Sequence, residues 1–143
     1  MAEPRDAAPP ELTMAERVVL LVEDEEPNRA LLRAVMARAV QDRLRGVVFI
    51  EAATLATARE LLASRAVDLV LLDVRLPDGN GLSLIPTDDE RGAASPAFVV
   101  LSASVLPAER AAALESGAVG FLPKPFRPAE LIDLVAEVLQ IEP

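Results

Sequence analysis

Val18-Val19-Leu20-Leu21-Val22-Glu23-Asp24 and Leu69-Val70-Leu71-Leu72-Asp73 are built alike: each is a continuous apolar run that ends in carboxylates. Runs of this length fit strands buried on both faces of a parallel sheet, where helices cover each side. A third run, Gly120-Phe121-Leu122, leads through Pro123 to Lys124 and places a lysine at a strand end. An acidic pair, a separate aspartate and a lysine at one sheet edge form a charge arrangement suited to a divalent cation and a phosphoryl group.

Outward from these stretches, strand-like runs alternate with amphipathic segments, the pattern of βαβ units. The strands expected are Val18 to Val22, Val47 to Ile50, Leu69 to Leu72, Phe98 to Leu101 and Gly120 to Leu122. A first helix has Pro27 in its opening turn, with Leu32, Val35, Met36, Ala39 and Val40 on one face. Thr54 is a natural N-cap for a second helix through Leu62, and Gly117 a natural stop for one covering Ala108 to Ser116. The last helix starts near Pro128 and aligns Leu131, Leu134, Val135, Val138 and Leu139. After Gly81, Pro86 interrupts what should be a third helix, so a short or broken one is expected there. Five strands and five candidate helices result. Pro123 places the fifth strand at the sheet edge, because proline cannot donate to a central ladder.

A chain of 143 residues with 52% hydrophobic composition fills one core and is short for two. Residues 1–15, rich in Ala, Pro and Glu, read as a flexible extension, and residues 16–141 as the folded domain. The absence of cysteine removes disulfides, thiolate zinc sites and cysteine nucleophiles, and fits a reducing compartment. The absence of histidine removes imidazole bases and every Ser-His-Asp relay, leaving carboxylates, lysines and hydroxyls for chemistry. A net charge of −9 opposes nucleic acid and anionic membrane surfaces, and no apolar stretch approaches spanning length. A soluble cytoplasmic protein is expected.

Four segments carry a family resemblance: Leu21-Val22-Glu23-Asp24-Glu25, then Leu71-Leu72-Asp73-Val74-Arg75-Leu76-Pro77-Asp78-Gly79-Asn80-Gly81, then Val100-Leu101-Ser102-Ala103, then Lys124-Pro125-Phe126. In this order, each at an expected strand end, they resemble the receiver domain of two-component response regulators, the CheY-like superfamily, over residues 16 to about 141. The resemblance implies an α/β, flavodoxin-like, doubly wound parallel sheet of order 2-1-3-4-5 with its site at the carboxyl ends of the strands. It implies that Asp73 takes a phosphoryl group from phosphohistidine on a histidine kinase or histidine phosphotransfer protein. It also implies a Mg²⁺ ion held by Asp24, Asp73 and the main-chain carbonyl of Arg75, with Glu23 acting through water in a position where aspartate is common. Lys124 would meet the phosphoryl oxygens, Ser102 would donate a hydrogen bond to one of them, and the Lys124-Pro125 bond is expected to be cis. Asp78 to Gly81 would supply flexible turn residues, and Arg75 and Ser104 stand where receivers tune phosphoryl lifetime.

The implied function is a signalling switch that catalyses only its own phosphorylation and dephosphorylation, and so is no enzyme toward a separate metabolite. Ser102 and Phe121 would relay the change to the fourth helix, fifth strand and fifth helix, roughly Pro107 to Gln140, where a downstream protein or a second copy binds. With no room for an output domain after Pro143, output is expected through a partner, unless the chain was cut from a longer one. Two rival readings are a docking module that works without phosphorylation and a small Mg²⁺-dependent phosphohydrolase. The second generally needs an acid two residues after its nucleophile, where Arg75 stands, and a cap insertion. Residue by residue, plainer readings exist: Glu23 to Pro27 as an acidic helix start, Ser102 as a core hydroxyl, Lys124 as a surface lysine or a salt-bridge partner of Asp24.

Overall fold

Each long apolar run forms a strand. The computed structural model describes residues 17–92, 95–103 and 106–141, so the 1–15 extension and Ser104 lie outside the described residues. Strands β1 (Arg17–Val22), β2 (Val47–Ala52), β3 (Leu69–Asp73), β6 (Ala97–Ser102) and β7 (Gly120–Pro123) make one parallel sheet of order β2-β1-β3-β6-β7. This is the expected 2-1-3-4-5 arrangement, with the proline-terminated strand at an edge. A two-residue hairpin, β4 (Arg75–Leu76) against β5 (Gly79–Asn80), follows the β3 terminus.

Alternation along the strands divides the core into two layers. Val19, Leu21, Leu69, Leu71, Val99 and Leu101 face helices α1 (Glu26–Ala39) and α4 (Pro128–Leu139), meeting Leu32, Met36, Leu131 and Val135. Leu20, Val22, Val70, Leu72, Phe98 and Val100 face α2 (Leu55–Ser64) and α3 (Pro107–Glu115), meeting Leu55, Ala58 and Ala113. Both sheet faces are therefore apolar, which is why the strand sequences show no polar alternation.

The helix boundaries follow local chemistry. Pro27 and Pro128 open α1 and α4, where a missing N–H costs nothing. The Thr54 side chain accepts from the Thr57 N–H at 3.1 Å and caps α2. Gly117, at φ +111°, supplies the conformation that stops α3. The expected third helix of five is a 3-10 turn, Gly81–Leu84, so the described residues hold four α-helices. Pro86 lacks the N–H that another helical turn needs. No helix among the described residues is long and apolar enough to cross a membrane.

Candidate functional site

Parallel pairing of β1 with β3 brings their carboxyl ends together, since Val22 pairs with Leu72 and the next residues are Glu23 and Asp73. One carboxylate oxygen from each of Glu23, Asp24 and Asp73 lies within 4.8 Å of the other two. That span approaches the ~4.2 Å between opposite oxygens of an octahedral Mg²⁺. An all-oxygen, anionic donor set suits a hard cation, so the residues fit the ion that the sequence implies.

Lys124, carried past β7, is the cation that the chain itself supplies. Its Nζ donates to Glu23 Oε1 at 2.9 Å and stands 3.5 Å from Asp73 Oδ2. Its partners are thus Glu23 and Asp73 rather than Asp24. The Lys124 N–H donates to the Ser102 carbonyl at 2.7 Å, which ties the lysine to the end of β6, and the Lys124-Pro125 bond is cis as expected. Glu23 is 1% exposed and uses its other oxygen to accept the Glu25 N–H at 3.1 Å.

Burial would raise the Glu23 carboxyl, but hydrogen bonds from Lys124 and from the Glu25 N–H outweigh it and hold the group below its ordinary value. For Asp73 burial prevails over the nearby Lys124 charge, the Glu23 charge adds to it, and the carboxyl is pushed up. Burial would lower Lys124, yet its contacts with Glu23 and Asp73 hold it above its ordinary value. Asp73 is therefore a carboxylate whose negative charge is poorly compensated, a state that a proton or a cation relieves.

The remaining expected residues are placed as follows. Arg75 is exposed, two residues beyond Asp73, and its N–H donates to Asp73 Oδ1 at 3.3 Å. Ser102 is buried at the end of β6, one residue past Leu101, the residue paired with Asp73. Phe121 is half-buried on β7 beside Val100, with the Arg110 guanidinium 6.0 Å from its ring centroid.

Residues 19–136 match the family described as the response regulator receiver domain. The chain belongs to this family. It is 35% identical over 137 residues to Protein PetR of Rhodobacter capsulatus, covering 96% of this chain and 52% of that protein. It is 39% identical over 113 residues to the KDP operon transcriptional regulatory protein KdpE of Escherichia coli, covering 79% of this chain and 47% of that protein. The receiver thus spans about half the length of these curated relatives. Among solved structures it resembles the receiver domain of sensor histidine kinase PA1611 from Pseudomonas aeruginosa, solved with a magnesium ion in the active site cleft. That likeness has a TM-score of 0.72 at 25% identity and covers 87% of this chain and 98% of the other.

Three further residues shape the site. The Asp78 side chain, expected in a flexible turn, accepts the Leu55 and Ala56 N–H groups at 2.9 and 3.1 Å and so ties the loop after Asp73 to the start of α2. Those contacts hold the Asp78 carboxyl below its ordinary value. A contact between residues so far apart in sequence leaves no local signal. Arg29 is the second. A cation in the first turn of a helix opposes the dipole, and that oddity is the readable sign of nearby acceptors.

Gly81 is the third. A Cβ there would lie inside the contact distance of the Asp73 carbonyl and 2.9 Å from Leu72 Cδ1, so the backbone approach excludes every side chain. Gly81→Ala is expected to cost roughly 1–3 kcal/mol through overpacking. It should also displace Asp73 from its place beside Lys124; thermal melts and amide chemical shifts read the two effects separately.

Proposed function

We propose that this receiver is a phosphorylation-dependent switch whose acceptor is Asp73, phosphorylated by a histidine kinase or histidine phosphotransfer protein in the cytoplasm. The observation that carries the reading is the grouping of Asp73 with Glu23, Asp24 and Lys124 at the carboxyl edge of the sheet. An Asp73 oxygen forms the new bond to phosphorus while the P–N bond of phosphohistidine breaks, its electron pair returning to the imidazole nitrogen, which takes up a proton. Water later attacks phosphorus and releases inorganic phosphate, restoring the carboxylate.

Asp24, Asp73 and the Arg75 carbonyl would hold Mg²⁺, with Glu23 acting through water. When bound, the ion neutralises the clustered acids and the phosphoryl oxygens. Lys124 is already at Asp73 and supplies a point charge to the incoming phosphoryl group. Incubation with Mg²⁺ and a small phosphodonor, followed by intact mass and site mapping, should show one phosphoryl group at Asp73. A chelator should stop labelling, and Asp24→Ala should weaken Mg²⁺ binding about tenfold or more, and by more than Glu23→Ala does. Labelling that survives chelation, or unchanged Mg²⁺ titrations for Asp24→Ala, would overturn the assignment.

The signal leaves through Ser102 and Phe121. Phosphorylation adds roughly −1.5 to −2 charge at Asp73. Ser102, at the neighbouring strand end, moves toward the new oxygens and lets Phe121 turn inward. Leu106, Leu114 and Val119 are exposed on the α3 side of this face, where a downstream protein or a second copy of the receiver binds. Ser102→Ala should still take up label while the Pro107 to Gln140 surface no longer responds. Amide shifts before and after phosphorylation test this, and an unaltered response of Phe121 in the variant would sink the relay.

A further inference from the structure

Arg29, in the first turn of α1, reaches back to the backbone of the acid pair. Its Nη1 donates to two successive main-chain carbonyls, Glu23 at 2.9 Å and Asp24 at 3.1 Å. Its Nη2 pairs with Glu26 Oε1 at 2.6 Å, and its Nε faces Glu51 Oε1 at 3.5 Å. Glu51, near the end of β2, is gripped in turn by Arg33 through two hydrogen bonds of 2.6 and 2.7 Å. The Arg29 side chain is only 18% exposed.

Strand pairing ends where this contact begins. The Glu23 N–H makes the last rung to Ala52, at 3.0 Å, and beyond it the chain turns away toward α1. The Glu23 and Asp24 carbonyls thus lie past the ladder and take their hydrogen bonds from one rigid guanidinium. A guanidinium at the positive end of a helix is disfavoured, so these acceptors and the flanking Glu26 and Glu51 are what retain it there. The orientation of the Asp24 side chain depends on the backbone at Asp24, and that backbone is fastened through Arg29 to β2.

We infer that Arg29 is a positioning residue for the cation site: by clamping the Glu23 and Asp24 carbonyls against Glu51, it holds the Asp24 carboxylate beside Asp73 before the ion arrives. The inference rests on the Mg²⁺ reading above. Partners that orient metal ligands typically contribute 10- to 100-fold in affinity, through preorganisation. Lysine, a point charge on a flexible stem, can engage one carbonyl at a time and replaces the clamp incompletely.

Calorimetric titration of the whole chain with Mg²⁺ tests this, with circular dichroism confirming the fold of each variant. Wild type is the reference, and no binding by wild type would overturn the cation site itself and this inference with it. Given wild-type binding, Arg29→Met should weaken Mg²⁺ about tenfold or more. Arg29→Lys should recover part of the loss, and Glu51→Gln should lose a smaller factor by loosening the clamp from behind. The Mg²⁺-induced rise in melting temperature should shrink in the same order. A residue that only supports the fold would lower metal-free melting while leaving the affinity of the folded protein unchanged, and that result overturns the inference with the cation site intact. If Arg29→Met does not fold, wild-type affinity in both Arg29→Lys and Glu51→Gln overturns it equally.

Discussion

Asp73→Asn should take up no phosphoryl group from a small donor under conditions where the wild-type receiver is fully labelled, a loss to background in intact mass. An amide is neutral and weakly nucleophilic, and no histidine or cysteine exists in the chain to take over. The same substitution carries a stability signature. Because burial and the Glu23 charge push the Asp73 carboxyl up, its ionised form destabilises the fold in metal-free buffer. The folded state then binds the proton more tightly than the unfolded chain, so this penalty appears as pH rises through the carboxylate range. Asp73→Asn should therefore melt above wild type near neutral pH, with the gap closing as wild-type Asp73 protonates in acid. Labelling at wild-type rate would remove Asp73 as the acceptor, and a gap that widens in acid would contradict the sign.

Lys124→Met should produce the largest stability loss among the site variants, roughly 2–4 kcal/mol in metal-free buffer, because it leaves Glu23 buried without its partner. Glu23 stands below its ordinary value in the fold, so its pairing contributes stability above that value and loses it as pH falls. The deficit of the variant should therefore be greatest near neutral pH and shrink on acidification. Asp24→Asn provides the contrast, since Lys124 does not pair with Asp24: removing one of three clustered acids should leave the fold intact or steady it slightly. Chemical denaturation at two pH values distinguishes these cases. Equal losses for Lys124→Met and Asp24→Asn would show that the ion pair contributes nothing specific.

The strands were readable because the sheet is largely buried on both faces, so all but the last are nearly continuous apolar runs, with an acid, a serine or a lysine at or near the end. Helices α1 and α4 were readable from periodicity and from Pro27 and Pro128. The stretch after Gly81 could be recognised as a weak helix from Pro86, but the close approach of Gly81 to the Asp73 carbonyl is a contact that only the fold creates. In the site, Asp73 was conspicuous as a charge closing an apolar run. Which acid Lys124 would meet was hidden, because the choice between Glu23 and Asp24 turns on which side chain faces inward at the strand end. Asp78 was hidden for a related reason: its donors are main-chain N–H groups, which no residue identity announces. Arg29 left one sign only, a cation in the first turn of a helix, which points to acceptors without saying which.

The ion pair between Lys124 and Glu23 joins positions 101 residues apart. During synthesis at ~5–20 residues per second, the acids emerge on the order of 5 to 20 s before the lysine that balances them. A nascent chain in that interval carries the buried acid Glu23 without the lysine that pairs with it in the fold, and the strand that completes the sheet edge is the same one that delivers that lysine. A ribosome-bound fragment ending before β7 thus lacks both the sheet's edge strand and the lysine that stands between Glu23 and Asp73.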